Sequence, residues 1–220
     1  MGIDLPRDPS VGSPGNTLVL LDDDGSVAEV ERAGTLPEVA AAHEGQVIRF
    51  GSFLGGLTHP VLGLDHFLAM VSVGVVSAQI GGRAIWTVPA TFVSAMAVGG
   101  LVGRLSGIEI SSGLIEFGIA VSVLALGIVI ALERSLPLAL TMLAVAFFAM
   151  FHGHAHGAET PDIARPVFYA LGFLTGTAAI HLTGVLTGDA AKRYSAGRIV
   201  LRVGGATTAL VGALFLFGAI

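Results

Sequence analysis

The residues best suited to chemistry in this chain are imidazoles and acids set at the edges of apolar runs. His59, Asp65 and His66 fall within one short stretch, His59-Pro60-Val61-Leu62-Gly63-Leu64-Asp65-His66, at the mouth of a long apolar segment. An ionisable group at a membrane boundary is costly unless it is paired, hydrated or coordinated. Three such groups together point to a cation site. Pro60 and Gly63 predict a turn between the two histidines, so their side chains can converge without sharing one helix. Asp65 opens the segment that follows, where a carboxylate serves as a helix cap. One of its oxygens can cap while the other binds. Met70, one turn beyond His66, reads as core filling rather than as a thioether ligand.

A second group, His152, His154 and His156, alternates with Gly153 and Ala155. Positions two apart on a helix point about 200° from each other, so three such histidines could not share a helical face. In an extended or Gly-flanked loop they could. The stretch Phe151 to Glu159 is therefore expected to be a chelating loop, with Glu159 as an oxygen donor, since His-rich tracts read as metal binding. His181 lies deep in another apolar segment, with Thr177 one turn before it. Glu116 lies near the outer start of a third. Buried ionisable groups in a membrane usually line a pathway. Imidazole with carboxylate suits divalent nickel, cobalt, zinc or copper. The chain has no Cys, which excludes thiolate ligation, disulfides and a Cys nucleophile.

The elements that must position these groups are membrane helices. Of the 220 residues, 53% are hydrophobic and 12% charged, and the mean hydropathy is +0.82. Soluble domains carry about 25% charged residues. Six long segments are expected, roughly Asp65 to Ile80, Ile85 to Leu105, Leu114 to Leu132, Leu136 to Phe151, Val167 to Thr187 and Ile199 to Ile220. Val47 to Leu57 is too short to cross a hydrocarbon core of about 30 Å. It reads as a re-entrant or half-membrane helix, broken at Gly55-Gly56 and stopped before Pro60. The expected fold is all-α, a polytopic bundle of about six full spans plus this short helix, occupying residues 46–220. Gly is abundant, at 31 residues. Gly99, Gly100 and Gly103, Gly172 and Gly176, Gly184 and Gly188, and Gly204, Gly205 and Gly212 mark expected helix contacts, because small residues let backbones approach in lipid.

Residues 1–45 are polar, acidic and broken by Pro6, Pro9, Pro14 and Pro37. They read as a disordered or loosely attached segment, or as an atypical leader, with Ala40-Ala41-Ala42 before His43 resembling a small-residue cleavage site. Asp22-Asp23-Asp24-Gly25 reads as a turn between short extended pieces and lacks the rest of a calcium loop. No basic tract suggests nucleic acid, and no P-loop, dinucleotide fingerprint or G-x-S-x-G occurs. Arg83, Arg134 and the group Lys192, Arg193, Arg198 and Arg202 fall in alternate connections, which places those connections in the cytoplasm. Arg104 and Arg165 dissent singly. Both His motifs then share the outer face.

The pattern His59-Pro60-x-x-Gly63-x-Asp65-His66-x-x-Ala69-Met70-x-x-Val73-Gly74 resembles the signature of the HupE/UreJ family of bacterial membrane proteins. So do Ile115-Glu116-x-Gly118-Ile119-Ala120-x-Ser122-Val123, the stretch Phe151 to Glu159, and Gly172-Phe173 through His181 to Gly184, in the same order. The resemblance runs from about His43 to the C-terminus. It implies nickel uptake linked to hydrogenase or urease maturation, with other first-row metals carried by some members. It also implies functional positions at His59, Asp65, His66, Glu116, His152, His154, His156, Glu159 and His181. Such proteins usually begin with a cleaved signal peptide, from which this chain departs.

Together these readings predict a membrane transporter for a divalent transition metal, nickel first, and not an enzyme. The metal ion is cargo, captured at the outer His and Asp groups and passed inward by Glu116 and His181. Two other readings use the same residues: an intramembrane zinc-dependent hydrolase, and a membrane protein that senses or chaperones metal.

Overall fold

A computed structural model describes residues 17–21, 27–32, 51–105, 110–158 and 166–219. The chain divides into two compact units, Met1–Glu44 and Gly45–Ile220. In the first, the extended pieces on either side of Asp22–Gly25 are strands β1 (Thr17–Leu21) and β2 (Val27–Arg32). They pair antiparallel, with Val19 opposite Val30. The Ala40–Ala42 site and His43 lie outside the described residues.

The second unit is helical. It contains α1 (Gly51–Leu62), α2 (Leu64–Ile80), α3 (Ala84–Leu105), α4 (Ser112–Ala131), α5 (Leu138–Ala158), α6 (Pro166–Lys192) and α7 (Ser195–Leu216). Helices α3 to α7 are each long and apolar enough to cross a membrane, and α1 with α2 form a pair bent by 84°. Lipid offers the backbone no hydrogen bonds, so each segment satisfies its own groups as a helix. The outward faces carry large apolar side chains, such as Leu101, Leu143, Phe147, Leu186 and Val203, all well exposed. That surface suits acyl chains and would aggregate in water. The protein is an integral membrane protein.

Helix α2 is the axis. Every residue from Ser72 to Ala78 is buried, because α2 packs most closely on α6 and also meets α3, α4 and α7. It stops at Gly81, whose φ of 80° suits a residue without Cβ, and whose N–H bonds the Ser77 carbonyl at 2.9 Å. The Lys192 ammonium donates to the carbonyls of Ala78 and Gln79 at the same end, where a cation complements the helix dipole. Arg198 pairs with Glu133 there at 2.7 Å, and this ion pair draws the Glu133 carboxyl below its ordinary range. The exposed Trp86 and Tyr194 flank this basic end, as aromatic residues do at a membrane–water boundary.

Three expectations change at this level. Helix α1 does not break at Gly55-Gly56 or stop before Pro60; both glycines are buried, and Gly56 packs on the backbone of Tyr169 and Phe173. Pro60 falls in the last turn, and the sharp bend comes at Gly63 instead. The second change is larger. His152, His154 and His156 are not in a loop, because α5 continues through them to Ala158. A Cβ on Gly153 would meet the backbone of Met96 and Gly100, and one on Gly157 would meet that of Gly100. The Gly99, Gly100 and Gly103 side of α3 thus clamps the glycine side of α5, and this contact outweighs the poor helix propensity of Gly. Third, Gly204 has open space where a Cβ would lie and makes no close contact, unlike Gly205 and Gly212, which press on α4.

Because the α3–α5 contact is backbone against backbone, Gly153→Leu should overpack it at a cost of about 1–3 kcal/mol or more. Gly204→Leu should be close to neutral. Thermal unfolding in detergent checks this, and equal Tm values for the two variants would remove the clamp.

Candidate metal-handling site

The bend at Gly63 sets the first pair of groups. Asp65 lies in the first turn of α2, and its Oδ1 accepts the backbone N–H of His66 at 2.8 Å. The same oxygen stands 2.9 Å from Nδ1 of the His66 ring. Asp65 is thus not the helix N-cap, a place taken by Gly63; through one oxygen it holds both the backbone and the ring of His66. A Cβ on Gly63 would lie 3.1 Å from that oxygen and 3.2 Å from His66 Nδ1, so a side chain there would press on the pair and require it to shift by a few tenths of an ångström. The ionised carboxylate only accepts, which puts the proton on Nδ1 and leaves Nε2 of His66 with its lone pair.

The helical form of α5 decides which of its histidines joins this pair. His152 and His156, four apart, share one face; His154 is turned away. The His66 ring meets His152 edge-on with centroids 4.7 Å apart, and meets His156 at 4.3 Å. His156 in turn meets His59 at 5.1 Å, and Phe173 packs beside both, at 4.5 Å and 6.0 Å. Tyr169 closes on His59 at 5.9 Å. His59, at the end of α1, is thus joined to His66 through His156.

His152 is fully buried. Its Nε2 stands 2.9 Å from Oγ of Ser122 on α4. Ser122 has one proton and donates it to the carbonyl of Ile119 at 2.6 Å. The hydroxyl must then accept from His152 Nε2–H, which leaves Nδ1 bare. His152 also touches Phe92 of α3, with centroids 5.5 Å apart, and Phe92 touches His181 of α6 at 4.9 Å. His181 donates Nδ1–H to the carbonyl of Thr177 at 2.8 Å. A carbonyl cannot donate, so Nε2 of His181 is the bare nitrogen. Among the described residues, His66 Nε2, His152 Nδ1 and His181 Nε2 are all buried without a hydrogen-bond partner. Each of these imidazoles has one nitrogen anchored and the other presented.

The expected positions therefore divide. His59, Asp65, His66, His152 and His156 come together, and His181 shares with His152 a contact to Phe92. His154 is buried, with an unpartnered Nε2, on another side of α5. Glu116 is exposed, one turn into α4, and does not face the cluster; at a helix start near the boundary a carboxylate keeps its water. Glu159 lies outside the described residues. Ser122, Phe92 and Tyr169 were not foreseen as part of the site, although a lone hydroxyl in an apolar span is a signal for Ser122. Among the described residues, no three His, Asp or Glu side chains are arranged to enclose one ion. The arrangement is a file of neighbouring imidazoles rather than a cage.

A family model described as "HupE / UreJ protein" matches residues 33–215. Protein HupE of Rhizobium leguminosarum bv. viciae is 42% identical over 184 residues, covering 83% of this chain and 93% of that protein. No solved structure matches the chain. The matched region runs from ahead of α1 to the last turn of α7 and takes in every residue of the imidazole file. On that extent of likeness, the chain belongs to the HupE/UreJ family.

Proposed function

We propose that this protein carries a divalent first-row transition metal, nickel first among them, through a bacterial cytoplasmic membrane toward the cytoplasm. The observation that carries the reading is the set of buried imidazoles, each anchored through one nitrogen and bare at the other. An anchored neutral imidazole is a metal ligand in waiting, and a carboxylate behind it raises its basicity. Imidazole ligands suit nickel, cobalt, zinc and copper alike, so choice among them rests on geometry and supply. Nickel is favoured by the family, whose association with hydrogenase and urease gives the cargo a destination.

The pairwise contacts between the imidazoles support a reading of movement. Conduction needs sites strong enough to admit an ion and weak enough to release it. Pairs of imidazoles along a file provide steps of that kind. Hydrolysis at zinc would instead call for three protein ligands on one ion with an open fourth position. Lys192, Arg193 and Arg198 gather at the end of the bundle opposite the His59–His66 bend, and this supports a cytoplasmic placement of that end and an outer placement of the histidine end. A potential of about 100 mV is worth about 2.3 kcal/mol per charge, hence about 4.6 kcal/mol for a dication moving inward, more than a thousandfold accumulation. No nucleotide-binding motif is needed for such a gradient.

Two predictions follow the roles of the partners. His66→Ala should abolish uptake of nickel at submicromolar concentration in proteoliposomes. Asp65→Asn, which removes the orienting charge but keeps the shape, should weaken apparent affinity by about 10- to 100-fold. Wild-type uptake in both would take these residues off the path and the transport reading with them. Ser122→Ala should leave His152 Nε2–H buried without an acceptor, at a cost of about 1–3 kcal/mol, and should lower metal affinity. Ser122→Thr keeps the hydroxyl and should restore most of it. Equal affinities for the Ala and Thr variants, by calorimetric titration with nickel, would show that Ser122 only fills space.

A further inference from the structure

The inner imidazole stands beside a second bare donor. His181 bonds through Nδ1 to the carbonyl of Thr177 at 2.8 Å, so its ring lies over the turn that Thr177 opens. The Thr177 side chain is fully buried, and its Oγ1 has no hydrogen-bond partner. Threonine in a membrane helix ordinarily settles its hydroxyl by bonding the carbonyl four residues back. Thr175, Thr183 and Thr187 of the same helix do so, at 2.7, 2.9 and 2.8 Å, as do Thr87 and Thr91 of α3. Thr177 has the Phe173 carbonyl at the same spacing and does not take it.

Packing does not account for that hydroxyl. A buried polar group without a partner is costly, and valine has the same branched shape with none of that cost. The core around Phe92, whose ring touches His181 at 4.9 Å, includes Met70, Val73, Met96, Phe173 and Ile180. None of those side chains carries an oxygen or a nitrogen. Thr177 Oγ1 and His181 Nε2 are both buried and both bare, one turn apart on one face of α6. His152, whose Nδ1 is also bare, touches the same Phe92 ring and acts directly on the charge of His181. A cation leaving His152 thus has an imidazole and an oxygen to meet on α6.

We propose that Thr177 Oγ1 and His181 Nε2 together form the inner station of the metal path, a mixed oxygen and nitrogen site for a divalent first-row cation. The hydroxyl serves as a neutral oxygen donor through a lone pair that no proton of the protein occupies. Such an oxygen is a weaker ligand than a carboxylate, so it replaces part of the ion's water without making the station deep. It offers little to a soft monovalent cation, which seeks sulfur and nitrogen. The inference rests on the transport reading above, and it adds Thr177 as the oxygen ligand of the inner step.

Thr177→Val removes the oxygen and keeps the branched shape, whereas Thr177→Ser keeps the oxygen. In the purified full chain carrying His66→Ala, which disables the outer cluster, binding of Co²⁺ is followed by the visible absorption of the bound ion. Even a partner behind a ligand is worth about 10- to 100-fold in metal affinity, so adding Thr177→Val should weaken Co²⁺ binding at least about tenfold and Thr177→Ser less than about threefold. Adding His181→Ala should remove the binding altogether. In the otherwise native chain, Thr177→Val should lower nickel uptake by proteoliposomes about tenfold, while the Tm in detergent without metal stays level or rises, because an unpaired buried polar atom has gone. A hydroxyl that serves only the fold would give the opposite pattern, a lower Tm with Co²⁺ affinity unchanged, and that result would overturn the proposal. Equal Co²⁺ affinities for Thr, Ser and Val at position 177, or binding that survives His181→Ala, would overturn it too. If Co²⁺ binding responds as expected but the native chain takes up no nickel, the transport reading fails and the inner site stands.

Discussion

A neutral imidazole carries one donor and one acceptor, and in a lipid-embedded bundle neither can be left to water. This constraint shapes the interior of the protein. Asp65 takes one proton of His66, Ser122 takes that of His152, and the Thr177 carbonyl takes that of His181. In each case the partner accepts and the opposite nitrogen is left bare. Three different acceptors, a carboxylate, a hydroxyl and a main-chain carbonyl, produce the same result. An unpartnered buried nitrogen is expensive, and three in one region would burden a bundle that used its histidines only for packing. On the transport reading proposed above, a cargo that seeks lone pairs gives that expense a purpose.

The anchors hold only because the helices that carry them come very close. Gly74 of α2 packs against the backbone of α6 at His181 and Gly184, and Gly184 returns the contact at Val71. Gly172 and Gly176 do the same between α6 and α1. In lipid there is little hydrophobic gain in bringing helices together, so contact depends on small residues and the dispersion they permit. The glycines and histidines are therefore parts of one arrangement. On α5 they occupy neighbouring positions, Gly153 and Gly157 clamped against α3 while His152 and His156 face His66.

The same pairing explains what the sequence could and could not disclose. Helical segments were legible because a run of apolar residues in lipid has few ways to satisfy its backbone. The convergence of the two His motifs at one end of the bundle followed from the alternation of basic connections. The form of residues 152–158 was not legible, since Gly-x-x-x-Gly beside alternating histidines is a poor helix by local propensity and becomes one only against Gly100 of a distant helix. That preference is a property of two segments and cannot be read from one. The exposure of Glu116 was not legible for a related reason. An acid in an apolar segment suggests burial, but its place one turn into α4 leaves it exposed. Phe92 carried no signal at all, because a phenylalanine in a membrane span is ordinary until its neighbours are known.

What separates a carrier from a store is the depth of its wells. A site enclosing an ion in four fixed ligands gains so much on binding that release becomes slow, as structural zinc sites demonstrate. In this protein the imidazoles meet in pairs, His59 with His156, His156 with His66, and His66 with His152, so His156 and His66 each have an imidazole on either side. An ion bound by two can take hold of a third before leaving the first, and no intermediate need be bare in the low-dielectric interior. A file of shared ligands lowers the barriers between stations and keeps each station shallow. A cage does the reverse. On the transport reading proposed above, pairwise contacts between imidazoles are of the first kind.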